Sequence, residues 1–98
     1  MMGQDDLTLA VTGQRLVFYD DATARFADDG KYAYTYEDGG TWLGLYETMT
    51  DSSICITFVT GVTRYDLYVR ADERLVLVTA ESMRFPIKHI EHLTEIIE

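Results

Sequence analysis

The sequence predicts a mainly β protein. We expect an antiparallel up-and-down meander of about eight strands, closed into a small barrel or half-barrel, with a short N-terminal helix and a C-terminal amphipathic helix. Three observations lead to this prediction. Apolar and aromatic residues alternate with a period of two through most of the chain. Turn residues interrupt the alternation about every ten residues. After Pro86, the only proline, the period becomes that of a helix.

The N-terminal helix is predicted from the stretch DDLTLAVTG, residues 5–13. Asp5 or Asp6 can cap its start, and Gly13 can end it. The same stretch also alternates apolar and polar residues as a strand would. The capping residues at both ends favour the helix.

The strands are predicted from segments with the two-residue period. They are RLVFYD (15–20), TARFA (23–27), KYAYTY (31–36), GTWLGLYET (40–48), ICITFV (54–59), TRYDLYVR (63–70), RLVLVTA (74–80) and MRF (83–85). Short segments rich in Asp, Gly and Ser separate them, as expected of hairpin turns. No linker or repeat divides the chain, so residues 1–98 are predicted to form a single domain.

The C-terminal helix is predicted from residues 86–98, PIKHIEHLTEIIE. Steps of about 100° per residue gather the apolar side chains on one half of the helical wheel. These side chains are Ile87, Ile90, Leu93, Ile96 and Ile97. The apolar face needs a covering, which is the sheet, a barrel mouth or a second subunit. We therefore expect a homodimer through Ile87, Ile90, Leu93 and Ile97 as one outcome.

The central hairpin turns at Asp38-Gly39-Gly40. Both two-residue loops that these residues allow would place the tyrosines of residues 32–36 on the face of Leu43 and Leu45. A three-residue loop with a bulge would reverse this arrangement.

With a two-residue loop, Trp42, Gly44 and Tyr46 share a face with Ala33 and Thr35. Large rings beside small residues leave room for a ligand or for another element of the fold. The candidate ligand-binding residues are therefore Trp42, Tyr46, Ala33, Thr35, Arg64 and Asp66.

The next hairpin is predicted to turn at Thr60-Gly61. This loop pairs Cys55 with Asp66. A neighbouring carboxylate disfavours the thiolate, so Cys55 is expected to be an inert thiol. Arg64 and Asp66 then alternate on one face, where they form a surface ion pair or orient a polar ligand.

The composition limits the partners of the chain. Its net charge is −9, which disfavours nucleic acid and anionic membranes, because both require cations opposite phosphates. The single cysteine excludes an internal disulfide and favours a reducing compartment. We expect a cytoplasmic protein, or a periplasmic one if a leader has been removed.

No group of residues predicts a metal, a cofactor or a catalytic centre. His89 and His92 lie three residues apart, but their third candidate ligand, Glu95, would face solvent. The sequence contains no serine triad, phosphate-binding glycine loop or CxxC motif. An enzyme is therefore the least favoured class.

Residues 12–87 resemble a lipocalin-like, calycin-type small bacterial β-barrel. The resemblance lies in TGQRLVFYD, DDGKYAYTY, GGTWLGLYE, ICITF, GVTRYDLYV and RFPI. It implies an up-and-down barrel with cargo in its mouth, and no catalytic residue. Two functions stay open: a binding module for a small apolar or aromatic ligand or a short peptide, and an interaction or inhibitor module that uses the acidic surface and the C-terminal helix.

Overall fold

The chain forms a closed antiparallel barrel, in a computed structural model that describes residues 3–50, 53–71, 74–79, 82–94 and 97. Helix α1 (Gln4–Val11) is followed by strands β1 (Gln14–Phe18), β2 (Thr23–Phe26), β3 (Lys31–Thr35), β4 (Thr41–Thr48), β5 (Ser53–Phe58), β6 (Thr63–Ala71), β7 (Arg74–Val78) and β8 (Arg84–His92). Each strand pairs with the next, and β8 pairs back to β1. The predicted eight-stranded meander is thereby confirmed, as a full barrel. It is compatible with a lipocalin-like barrel.

The N-terminal helix is confirmed, and Gly13 follows its C-cap residue with φ +73°, as predicted for its end, but no aspartate caps its start. Gly3 stands at the N-cap position without a side-chain cap, while Asp5 and Asp6 lie in the first turn, where the helix dipole favours acids. Leu7 and Val11 are buried in the core. Because α1 leads directly into β1 and hydrogen-bonds the last residue of β4, it covers one end of the barrel. We call this the helix end, and the opposite end the mouth.

The predicted C-terminal helix is wrong, since residues 84–92 form β8. The reason is a β-bulge. Ile87 pairs with Phe18 and Ile90 pairs with Leu16, so an extra residue in β8 lies between these pairs. The bulge brings two residues three positions apart onto one face of a strand, which reproduces the spacing of a helical face. Pairing with β8 also closes the barrel, which leaves β1 no open edge.

The predicted dimer surface is changed by the same correction. Ile87 and Ile97 are buried within the chain, and Leu93 is half-buried, so only Ile90 of the four residues is exposed. Ile96 lies outside the described residues.

Three-residue loops set the register of the hairpins. At the β3–β4 turn, the Tyr36 amide donates to the Gly40 carbonyl and the Gly39 amide donates to the Tyr36 carbonyl. Gly39 has φ +92°, the left-handed conformation that glycine adopts without steric cost. Gly61 has the same φ in the β5–β6 loop. This is the three-residue loop with a bulge, not the predicted two-residue loop.

The extra loop residue places the side chains of one strand of each hairpin on the face opposite to the one predicted. Tyr34 pairs with Trp42 and Tyr32 pairs with Gly44, so the predicted pairing of tyrosines with Leu43 and Leu45 is wrong. Because side chains alternate along a strand, the aromatic residues at even positions of β3 and β4 all take the inner face. This common face explains why rings recur at every second residue on both sides of the Asp-Gly-Gly turn.

The β5–β6 register is corrected in the same way. Asp66 pairs with Ile54 instead of Cys55, and Arg64 pairs with Ile56 instead of Thr57. Cys55 pairs with Tyr65 on the outer face. The predicted surface pair of Arg64 and Asp66 is therefore inside the barrel.

Side chains fill the barrel interior. Phe26 lies in the part of the core nearer the helix end. Its ring centroid is 5.0 Å from those of Tyr32 and Tyr46 and 6.3 Å from that of Tyr68. Tilted and edge-to-face contacts of this kind add to the stabilisation from burial. A membrane-spanning helix is not found in the described part of the chain, where helices fall short in length and apolar character.

Candidate functional site

The mouth of the barrel holds an ion pair surrounded by aromatic rings. Nη2 of Arg64 lies 2.7 Å from Oδ2 of Asp66 and donates a second hydrogen bond of 3.1 Å to the Tyr32 hydroxyl. Asp66 is almost completely buried, whereas the Arg64 side chain is 32% exposed. Burying a carboxylate is costly unless it is paired. Since Arg64 and Asp66 both belong to β6, the hydrogen bond from Arg64 to Tyr32 is the one that connects this pair to β3.

Two rings flank the guanidinium. Its central carbon lies 5.4 Å from the ring centroid of Tyr34 and 5.4 Å from that of Phe58. These distances are those of cation–π contacts, which gain strength when the cation is partly desolvated. Arg64 is thus fixed in position by an acid below it and by rings on its sides.

The electrostatics keep this cluster in one protonation state near neutral pH. Burial raises the pKa of Tyr32 and of Tyr68 well above the usual range of tyrosine. Burial alone would lower the pKa of Arg64, but Tyr32 and Asp66 outweigh it and raise that pKa. The tyrosines stay neutral and the arginine stays charged, which suits recognition better than proton transfer.

Two buried donors of the cluster have no acceptor among the described residues. They are Nε of Arg64 and the hydroxyl of Tyr68. Buried donors are normally satisfied, and unsatisfied ones concentrate at functional sites or mark bound water.

Beside the cluster, Trp42 lines a cleft. Its ring packs edge-to-face on Phe58 at 5.4 Å, and its side chain is 44% exposed. The cleft has a volume of about 240 Å³ and is lined by Thr41, Trp42, Leu43, Phe58, Val59 and Thr60. It therefore offers an apolar wall at the rim of the mouth with hydroxyl groups at its edges.

The six predicted site residues do not form one site. Trp42, Arg64 and Asp66 come together at the mouth, and Phe58 connects them. Tyr46 faces inward nearer the helix end, where its hydroxyl donates to the Ala27 carbonyl at 2.6 Å.

Ala33 and Thr35 lie on the outer face of the barrel, so the predicted shared face with Trp42 and Tyr46 is wrong. The Thr35 hydroxyl accepts a hydrogen bond from Arg25 and bonds the Thr41 hydroxyl. The physical reason is again the three-residue loop, which exchanges the inner and outer side chains of β4 relative to those of β3.

Sequence reasoning missed Tyr32, Tyr34 and Phe58 as parts of the site. If each loop is assigned three residues, the even-numbered residues of both hairpins fall on one face. This pattern would have identified the three residues. A glycine at the third loop position, as in Glu37-Asp38-Gly39 and Val59-Thr60-Gly61, is the signal for that loop.

A second cleft lies near the helix end. It has a volume of about 320 Å³ and is lined by Thr12, Gly13, Ala27, Asp28, Asp29, His92, Leu93 and Ile97. His89 Nε2 contacts Glu91 Oε1 at 2.8 Å on the exposed surface. No three potential metal ligands converge among the described residues, and Glu95 lies outside them.

Fold and site together define a small closed β-barrel whose mouth is built around an arginine–carboxylate pair and aromatic rings. Comparisons with known protein families, with curated proteins and with solved structures gave no match for this chain.

The buried tyrosines predict a loss of stability in alkali. Burial raises the pKa of Tyr34 from 10.0 to about 12. The folded state therefore holds this proton more tightly than the unfolded state. The stability is fully present below the unfolded pKa of about 10 and falls as the pH rises toward 12. Urea unfolding near pH 8 and near pH 11 measures this fall.

The Tyr34→Phe variant should lose less stability over the same pH interval, since it has no hydroxyl to ionise at this position. Tyr36→Phe is the matched control, because Tyr36 is exposed. Equal free energies of unfolding at both pH values in the unchanged protein would contradict the prediction.

Proposed function

We propose that this barrel is a non-enzymatic binding module for a small aromatic or apolar ligand, or for an aromatic side chain of a short peptide. The ligand occupies the cleft beside Trp42. The observation that carries the proposal is the half-exposed Trp42 ring, held against the buried Phe58 at the rim of an apolar cleft. Concave apolar sites with a few fixed polar groups are the usual form of ligand sites.

The proposed ligand binds at the mouth rather than inside the barrel. Tyr32, Ile56 and Asp66 occupy the level of the barrel below the mouth, and each is buried. The lipocalin-like resemblance supports the choice of the mouth, since cargo enters such barrels there. The small volume of the cleft restricts the ligand to about one ring.

Trp42 tests the proposal directly, because it is the only tryptophan. We expect benzyl alcohol, cyclohexanol or a blocked Gly-Phe-Gly peptide to shift the amide and indole NMR signals of residues around Trp42 and Phe58. In Trp42→Ala the affinity should fall about tenfold, because one wall of the cleft is lost. Tyr65→Ala, which removes an exposed ring from the outer face, should bind as the unchanged protein does.

NMR signal shifts scattered over the surface, or no shifts at millimolar probe concentration, would exclude this site. A Trp42→Ala variant with unchanged affinity would exclude it equally.

A second candidate function is self-association through the outer face of β4, β5 and β6, which shares Thr41 and Leu43 with the lining of the cleft. A patch of outward positions nearer the mouth on β4, β5 and β6 carries no charge: Thr41, Leu43, Leu45, Cys55, Thr57, Thr63, Tyr65 and Leu67. Leu45 and Tyr65 are 60% and 57% exposed there. Lys31, which pairs with Leu45, and Glu47, which pairs with Cys55, border this patch.

A second copy of the chain fits this neutral face. Two copies with a charge of −9 repel one another, and a symmetric contact brings each patch against its own kind. A patch without charges can meet its own copy without bringing like charges together. Two sheet faces can pack aligned across it.

Sedimentation equilibrium tests self-association. A dimer should form as the concentration rises and should weaken in Leu45→Glu and Tyr65→Glu. Leu9→Glu, on the exposed side of α1, should leave it unchanged. A monomer up to about 0.5 mM, where even weak dimers form, would rule this function out.

A further inference from the structure

The hydrogen bonds of Arg64 leave part of its guanidinium free. A guanidinium carries five N–H donors and no acceptor. Both bonds that it makes to described residues, to Asp66 and to Tyr32, run through Nη2. Nη1 and Nε are therefore left over, and Nε is buried without an acceptor. Nη1 can therefore donate to an acceptor placed beside Arg64 at the mouth.

We propose that the ligand of this mouth carries a carboxylate, which accepts hydrogen bonds from Nη1 of Arg64 while its ring lies in the Trp42 cleft. This proposal rests on the binding function proposed above and names the chemical class of its ligand. Hydrogen bonds between a guanidinium and a carboxylate are about twice as strong as neutral ones, so the acid group supplies specificity as well as affinity.

A cationic ligand fits this mouth poorly. The aromatic faces that would receive a cation are those of Tyr34 and Phe58, and Arg64 already lies against both. A second cation beside the guanidinium would gain no acceptor from it and would be repelled. The same rings and Asp66 hold Arg64 in place, so a carboxylate meets a donor that needs no reordering.

The ligand is short. The guanidinium and the Trp42 ring both contact Phe58, each at 5.4 Å from its ring centroid. One phenyl ring in the cleft, with an acid group on a chain of two or three carbons, can span such a separation. Aryl-alkanoic acids are therefore the class that the mouth fits.

The negative charge of the chain does not forbid an anion at this position. The nearby acids of the rim, Asp20, Asp21, Glu37 and Asp38, are exposed. Their repulsion of an approaching anion is screened over about 8 Å at physiological salt. The contact with the partly buried Arg64 is screened much less. Salt should therefore tighten the binding of an acid or leave it unchanged, whereas it would weaken the binding of a cation.

The experiment compares three probes that share one ring and one chain length: 3-phenylpropionate, 3-phenylpropan-1-ol and 3-phenylpropylamine. Affinities are measured by NMR titration of the unchanged protein at low salt and at about 150 mM salt. We expect the acid to bind about tenfold more tightly than the alcohol, and the amine no more tightly than the alcohol. The acid should not lose affinity with salt.

Equal affinities of acid and alcohol would overturn the carboxylate assignment and leave the proposed ring-binding function intact. Tighter binding of the amine, weakened by salt, would overturn it in favour of a cation. If no probe binds at the cleft, both proposals fail.

A variant adds a second line of evidence. Arg64→Met with Asp66→Leu removes both charges and leaves neither partner buried alone. This protein should bind the alcohol as before and lose its preference for the acid. Should the double variant not fold, Arg64→Lys, which keeps the charge but lacks the planar fork, should reduce the preference. A preference that persists unchanged in a folded variant would contradict the role of Arg64.

Discussion

Replacement of Asp66 with alanine is expected to destabilise the barrel by about 3 kcal/mol, because removal of one partner leaves the other charge poorly compensated in a desolvated site. The Asp66 side chain is 1% exposed and its Oδ2 lies 2.7 Å from Nη2 of Arg64. Arg64 is partly exposed, which keeps the expected loss at the lower end of the range for buried pairs. In a domain of this size that loss lowers the melting temperature by roughly 12 to 24 °C.

Glu91→Ala is the matched control for Asp66→Ala. Glu91 also lies in an ion pair, since Nη1 of Arg15 lies 3.7 Å from its carboxylate, and Nε2 of His89 contacts the same carboxylate at 2.8 Å. These groups are exposed, so the cost should stay below about 1 kcal/mol. Urea or thermal unfolding of both variants measures the difference. Similar losses in the two variants would mean that the buried pair contributes no more than a surface pair.

The double replacement Arg64→Met and Asp66→Leu distinguishes the contribution of the ion pair to stability from that of the packing around it. An apolar pair of similar volume is often neutral or stabilising relative to a buried ion pair. We expect this protein to be considerably more stable than Asp66→Ala. If it is instead as unstable as Asp66→Ala, the loss comes from packing around Asp66 and not from an uncompensated charge.

Gly44→Ala is expected to cost about 3 kcal/mol or more, which is the upper part of the range for overpacked sites. A Cβ at Gly44 would lie 2.5 Å from the carbonyl oxygen of Thr57 and 3.0 Å from the Cα of Phe58. Both are backbone atoms of the neighbouring strand β5, which cannot move aside without breaking its pairing with β4. The variant should therefore unfold at much lower urea, or fail to form the β4–β5 ladder.

Gly40→Ala is the matched control in the same region. The nearest atom to its added Cβ is Oδ1 of Asp38 at 3.3 Å, which belongs to an exposed side chain that can rotate away. We expect a cost below about 1 kcal/mol, as for other surface substitutions. Comparable losses at Gly40 and Gly44 would show that the close approach of β4 and β5 is not what Gly44 provides.

The sequence by itself determined the type and order of nearly every element. A two-residue period in segments such as TRYDLYVR, and turn residues between them, were sufficient for the strands and their antiparallel order. They were sufficient because alternation and turn chemistry are local properties of the chain. The N-terminal helix was predicted on the same local ground.

The C-terminal strand could not be predicted in this way. The spacing of Ile87 and Ile90 is that of a helix, and the local pattern favours one. The barrel overrides it because β1 and β7 each need a neighbour for their backbone groups, and β8 supplies it through a bulge. The need for a neighbour is a property of the closed sheet, which no local segment carries.

The candidate site depended on the tertiary structure still more strongly. Arg64, Asp66 and Trp42 were found from the sequence, but the faces on which they lie were not. One extra residue in a hairpin loop moves every side chain of a strand to the other face, so a small local difference decided the whole lining of the barrel. The sequence determined that this is a β protein with an aromatic, acidic character. Only the closed barrel, through its register, decided that an arginine and a carboxylate meet inside its mouth.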